Sequence, residues 1–149
     1  MKIAFSQLYV EPGASFKRLD GPLLGAMRAA LDGLGKNIDQ LSSKFAGEDF
    51  ELVFVLSARS DLDSLEIKGP NIRRKAQAVE FSLFLPWQKA TDFKEEIEYV
   101  LPKISEGIVS VLTRYEVDAS GVDAAIRNVL REARVDPKKF QFPNRPANF

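Results

Sequence analysis

The first regularity along the chain is a change of period. In residues 2–10, KIAFSQLYV, apolar positions recur two or four apart at Ile3, Phe5 and Tyr9, and Glu11-Pro12-Gly13 closes the run, which predicts a first strand. Asp20 then precedes Pro22, and Leu24, Met27, Leu31, Leu34, Ile38, Leu41 and Phe45 follow at alternating spacings of three and four until Gly47. That spacing predicts one long amphipathic helix over residues 22–46. Gly25, Gly33 and Gly35 each cost such a helix about 1 kcal/mol relative to alanine, so its stability must come from packing an apolar stripe.

Residues 50–57, FELVFVLS, are apolar on both alternating faces, the pattern of a central strand covered on both sides or paired in an interface. Residues 78–85, AVEFSLFL, alternate more strictly, with Val79, Phe81, Leu83 and Leu85 on one side and Glu80 and Ser82 on the other. These two runs are expected to pair. Gly69-Pro70-Asn71 reads as a turn between the short run Leu65–Lys68 and the long run that begins near Ile72. The result is a predicted meander of three strands.

The helical period then returns. Asp92 with Glu95 resembles a capping box, and Phe93, Ile97, Val100, Leu101, Ile104, Ile108, Val111 and Leu112 keep helical spacing. Pro102 falls inside this pattern, so the segment is expected to be either kinked or split, with Pro102 opening the second piece. Ser120 with Asp123 forms a second predicted capping box, starting a helix to about Arg134 with Val122, Ile126, Val129 and Leu130 inward. Asp136-Pro137 marks a short final turn. The closing stretch QFPNRPANF carries two prolines and no period, so 141–149 is expected to be an extended tail that packs through its phenylalanines or stays disordered. No internal repeat is visible.

Strand, helix, three strands and then helices add up to an α+β two-layer fold: an antiparallel sheet of about four strands with a long helix and C-terminal helices packed on it. The 149 residues match one domain, 1–149. Lys+Arg and Asp+Glu balance at 21 each, so net charge points to neither a nucleic acid nor a membrane as partner. The charges are unevenly spread, at about −2, +3, −5 and +4 over 1–64, 65–90, 91–123 and 124–149. The absence of cysteine excludes disulfides, thiolate catalysis and thiolate zinc sites, and the absence of histidine removes the usual general base and the commonest metal ligand. MKIAFSQLYVEPG has neither a long apolar stretch nor a cleavage site of small residues, so a cytoplasmic location is the expectation.

Four constellations could carry chemistry, and each has a plain surface alternative. Asp61, Asp63 and Glu66 could hold a hard cation such as Mg²⁺, but no phosphate cradle or lysine completes a site, and loop carboxylates are usually solvated. GPLLGAMRAALDGLG matches neither the dinucleotide fingerprint nor the P-loop, so no cofactor is expected. Arg73, Arg74 and Lys75 suit phosphate or carboxylate recognition, or else they are charges on a strand leaving a turn that discourage edge pairing. Arg127, Arg131 and Arg134 recur at helical spacing as a basic ridge whose expected partners are internal acidic groups. On the acidic segment, turning Ile97, Leu101, Ile104 and Ile108 to the core leaves Glu95, Glu98 and Glu106 outward, with Glu96 at the edge of the same side, a carboxylate face for a basic protein partner or simply a solvated helix face. Trp87 after Pro86 is an interface anchor or a core lid.

The stretch EIKGPNIRRKAQAVEFSLFLPW, residues 66–87, resembles an immunity protein of the bacterial polymorphic-toxin and contact-dependent growth-inhibition systems. The similar elements are a short strand, Gly69-Pro70, a basic stretch, the alternating strand Val79–Leu85 and a closing Leu85-Pro86-Trp87, followed by a helical C-terminal half. The resemblance covers about 22 residues directly. It implies a small cytoplasmic, non-enzymatic protein that binds and neutralises a cognate toxin domain, often a nuclease. It implies no catalytic residues, and it transfers no contact residues, because such proteins diverge fastest at the surface that meets the toxin. The partner-binding expectation therefore rests on Glu95, Glu98, Glu106, Arg73, Arg74 and Trp87. A metal-dependent enzyme at Asp61, Asp63 and Glu66, and an adaptor or homodimer built on the helix at 22–46, remain the alternatives.

Overall fold

The computed structural model describes residues 2–10, 21–34, 41, 44, 50–59, 61–86 and 93–129, with the side chains of 2, 6–10, 21–23, 93, 94, 96 and 97 outside the described set. Trp87, the capping position Asp92, Leu130, Arg131, Arg134, the turn at Asp136-Pro137 and the tail at 141–149 all lie outside the described residues. The chain runs β1 (Lys2–Val10), α1 (Gly21–Asp32), β2 (Glu51–Arg59), β3 (Glu66–Arg73), β4 (Ala78–Pro86), α2 (Phe93–Arg114) and α3 (Val122–Arg127). It is an α+β fold, with helices packed on a four-stranded sheet.

The sheet is mixed, which corrects the expected antiparallel one. Its order is β1-β2-β4-β3; β1 and β2 are parallel, β2 and β4 are parallel, and only β3 and β4 form an antiparallel hairpin. The runs at 50–57 and 78–85 do pair, Leu52 beside Val79 and Phe54 beside Phe81. They are not neighbours in a meander, because β3 folds back onto the outer side of β4 and leaves the inner side to β2. Burial decides this order. β4 is fully buried along the face of Val79, Phe81, Leu83 and Leu85 and half-buried at Glu80, Ser82 and Phe84 on the other, and β2 is buried except at half-buried Glu51 and Val55 and exposed Arg59, whereas β3 is exposed at every position but half-buried Ile67. A strand so polar belongs at an edge.

The reversal between β3 and β4 is also not where the Gly-Pro signal placed it. Gly69 and Pro70 lie inside β3, at a register break between Lys68 and Asn71, and the turn is Arg74–Gln77, closed by Gln77 N–H donating to the Arg74 carbonyl at 3.2 Å. Gly69 is needed at that bulge: its φ is +123°, and a Cβ there would lie 2.7 Å from the Glu80 carbonyl oxygen.

The long helix predicted over 22–46 is a second correction. α1 ends at Asp32 and turns at Gly33-Leu34, where Leu34 N–H donates to the Leu31 carbonyl at 2.9 Å. Leu41 is helical again and fully buried. Gly33, one of the glycines that weakened the pattern, stands where the helix stops, whereas Gly25 is accommodated inside it.

One hydrophobic cluster joins the layers. Ile3 of β1, Leu52, Phe54 and Leu56 of β2, and Val79, Phe81, Leu83 and Leu85 of β4 meet Met27 and Leu31 of α1, Val100, Leu101, Ile104, Ile108, Val111 and Leu112 of α2, and Val122 and Ile126 of α3. Phe5, Phe54, Phe81 and Tyr115 form a chain of ring contacts through it, with centroid separations of 5.8, 6.3 and 6.1 Å. Burying each such large side chain contributes about 1.5–3 kcal/mol. α2 approaches β4 closely at Gly107, where a Cβ would fall 2.9 Å from the Leu83 methyl carbons. Among the described residues no helix is long and apolar enough to cross a membrane.

Candidate partner-binding face

α2 is one continuous 22-residue helix through Pro102, so the split form of the expectation does not occur. Proline removes one rung from the ladder, but the packing of Leu101, Ile104 and Ser105 on either side, all at or below 3% exposed, holds the backbone in register. The 3.6-residue period then sorts the side chains. Val100, Leu101, Ile104, Ile108, Val111 and Leu112 are buried, and Glu95, Glu98, Tyr99, Glu106, Ser110 and Thr113 are exposed. The three glutamates expected to face outward therefore do so from a single element, over about 16 Å of helix. Lys103 Nζ lies 3.8 Å from Glu106 Oε2, an exposed pair of about 0–1 kcal/mol that leaves the face acidic.

Tyr99 was missed by the sequence reading. It is 38% exposed, one of the large hydrophobic side chains left in solvent, and it sits between Glu95 and Glu106 on the same stripe. Its spacing, four after Glu95 and seven before Glu106, was the available signal.

The basic arm is placed elsewhere. Arg73 ends β3, and its Nη1 donates to Glu80 Oε2 at 3.5 Å across the hairpin, while Arg74 and Lys75 are exposed in the turn. α2 runs antiparallel to β4, with Gly107 against Leu83 and Tyr115 against Phe81, so the hairpin turn lies toward its C-terminal end. Glu95 and Glu98 occupy its first turns. Glu95 and Glu98 and the basic turn thus lie toward opposite ends of α2, with Glu106 between them.

The carboxylate loop does not assemble a cation site. Arg59 Nε and Nη2 donate to Asp61 Oδ1 and Oδ2 at 3.0 and 2.9 Å, a bidentate pair, and Asp61, Asp63 and Glu66 are all exposed. Among the described residues no three carboxylates come together as metal ligands.

The joint between α2 and α3 is polar and well made. Ser105, 1% exposed, donates its hydroxyl to Asp123 Oδ1 at 2.7 Å, and Arg127 Nε donates to the same oxygen at 2.7 Å. The Ser105 hydrogen bond, then that of Arg127, holds the Asp123 carboxyl below its ordinary range. Asp123 is thus tied back to α2, so the predicted Ser120–Asp123 capping box does not form. Gly121 takes the N-cap position with φ +85°, and the Ser120 N–H and hydroxyl both donate to Asp118 Oδ1, at 2.9 and 2.6 Å. Those two bonds lower the Asp118 pKa. Val122, Ile126 and Val129 are buried as expected, and Arg127 faces its neighbour Asp123 and not the acidic segment as a whole.

Compared with known proteins, the chain matches no family model, no curated protein and no solved structure.

Proposed function

We propose that the protein is a non-enzymatic immunity protein that binds and neutralises a cognate bacterial toxin domain, of the polymorphic-toxin or contact-dependent growth-inhibition kind. The observation that carries the reading is the α2 face, where Glu95, Glu98, Tyr99 and Glu106 are exposed along one continuous helix anchored by a buried stripe. A toxin that acts on nucleic acid needs a cationic surface to hold phosphates. Carboxylates at this spacing compete for that surface, steer the encounter and place an aromatic side chain at the centre of the contact. Neutralisation then needs only occlusion of the toxin's substrate surface. The turn residues Arg74 and Lys75 and the arm around them form the second contact candidate, with Arg73 already engaged by Glu80.

Co-expression tests the reading. In cells producing the toxin domain encoded beside this gene, the wild-type chain is expected to restore growth and to co-purify with the toxin as a stoichiometric complex. Growth arrest that persists despite equal amounts of folded chain would overturn the assignment.

A further inference from the structure

The outer edge of β3 has no described strand beside it, yet its sequence is self-complementary in one register. Residues 66, 68, 71 and 73 pair with Phe84, Ser82, Glu80 and Ala78 and point to one face of the sheet, and Ile67 and Ile72 pair with Leu83 and Val79 and point to the other. The bulge at Gly69-Pro70 restores this parity on its far side, so the two halves of the strand are related like object and partner. If a second β3 is laid antiparallel with position 66 opposite 73, then 67 faces 72 and 68 faces 71. Glu66 meets Arg73, Lys68 meets Asn71 and Ile67 meets Ile72, each pair occurring twice and each lying on a common face. Ile72, 40% exposed in the single chain, gains an apolar neighbour.

We infer that two copies of the chain associate through their β3 edges about a two-fold axis between Gly69 and Pro70, joining two four-stranded sheets into one. In this register the outward backbone groups of each half meet outward groups of the other, whichever parity they have, so hydrogen-bonded pairs align. Pro70 has no N–H, and the Gly69 carbonyl already accepts from Arg114 Nη1 at 3.5 Å, so the axis contributes no rungs and the flanking residues supply them. The same features work against other strands. A bulge, a proline and Lys68 disfavour pairing with an arbitrary edge, whereas the two-fold register sets the bulges against each other and keeps Lys68 away from a second Lys68. The interface is short, so the dimer is weak and concentration-dependent. It does not depend on the toxin reading.

Sedimentation equilibrium from about 1 μM to about 1 mM reads the affinity directly. The expected result is a mass that rises from the 16.7 kDa of one chain toward twice that value. Glu66→Arg alone and Arg73→Glu alone each set like charges opposite one another twice and should weaken the dimer roughly tenfold, while the double swap should restore it to within about threefold. Ile72→Lys should also weaken it, with the circular dichroism of the monomer unchanged. A chain that stays monomeric throughout, or a dimer indifferent to both single reversals, would overturn the inference.

Discussion

Removing the Asp123 carboxylate should cost more than its exposure suggests. Asp123 is more than half exposed, but its Oδ1 is the acceptor for Ser105, which is 1% exposed. In Asp123→Ala the Ser105 hydroxyl loses that acceptor at the α2–α3 joint, and an orphaned buried donor costs about 1–3 kcal/mol. The exposed Arg127 pair, screened by water, adds only about 0.3–0.5 kcal/mol. A loss of about 1.5–3 kcal/mol corresponds to a fall in Tm of roughly 3–10 °C for a domain of this size. Ser105→Ala should cost less, about 0.5–1.5 kcal/mol, because the carboxylate it deserts can rehydrate. In Asp123→Ala/Ser105→Ala no buried hydroxyl is left, so the double variant should be more stable than the two single losses added together. The pH dependence follows from the lowered pKa. Folding favours the ionised form, so the contribution is fully present above the unfolded carboxylate value of about 3.9 and is lost as pH falls through the lower folded value. The gap between wild type and Asp123→Ala should therefore be level from pH 7 to about 5 and narrow in acid. Urea unfolding of the four proteins at several pH values checks this. Additive losses, or an Asp123→Ala cost no larger than that of an ordinary surface substitution, would refute the hydrogen-bond account.

Three further outcomes follow from local packing. Gly107→Ala improves helix propensity by about 1 kcal/mol but sets a methyl 2.9 Å from Leu83, and overpacking of about 1–3 kcal/mol should leave thermal unfolding at a lower temperature. Gly69→Ala places a Cβ against the Glu80 carbonyl at a φ of +123°, so it should destabilise by at least about 1–3 kcal/mol in the same assay, with the loss of β3 amide protection in hydrogen exchange. Ser57, 2% exposed on β2, has a hydroxyl with no hydrogen-bond partner among the described residues, so Ser57→Ala should be neutral or stabilising by up to about 2 kcal/mol in urea unfolding.

Periodicity located most of the described elements, because one-sided burial writes itself into spacing. Val79, Phe81, Leu83 and Leu85 are all fully buried, as the alternation required, and so are Ile104, Ile108 and Leu112 on α2. What spacing does not encode is the partner of a strand. The two-sided apolarity of 50–57 marked a central strand, but parallel and antiparallel neighbours demand the same burial, and the choice fell to the tertiary arrangement. Gly69-Pro70 misled for a related reason, since a turn and a bulge both need an unusual backbone and draw on the same residues. The capping box at Ser120–Asp123 failed because a buried serine eighteen residues away in sequence outbid the local backbone for Asp123. The outward glutamates of α2 were legible, since Glu95, Glu98 and Glu106 lie opposite the apolar stripe. That Asp61 is engaged by Arg59 required side-chain geometry.

If the α2 face steers the chain onto a cationic toxin, as proposed, association kinetics show it most directly. The on-rate for the neighbouring toxin domain would be measured by stopped flow across a range of salt, for wild type and for a variant carrying Glu95→Lys, Glu98→Lys and Glu106→Lys, with Asp32→Lys on α1 as an exposed control. Wild type should associate fast and slow steeply with salt, the triple variant should lose about tenfold or more at low salt with a flattened dependence, and the control should follow wild type. A triple variant that folds normally and binds at the wild-type rate with the wild-type salt slope would contradict the claim.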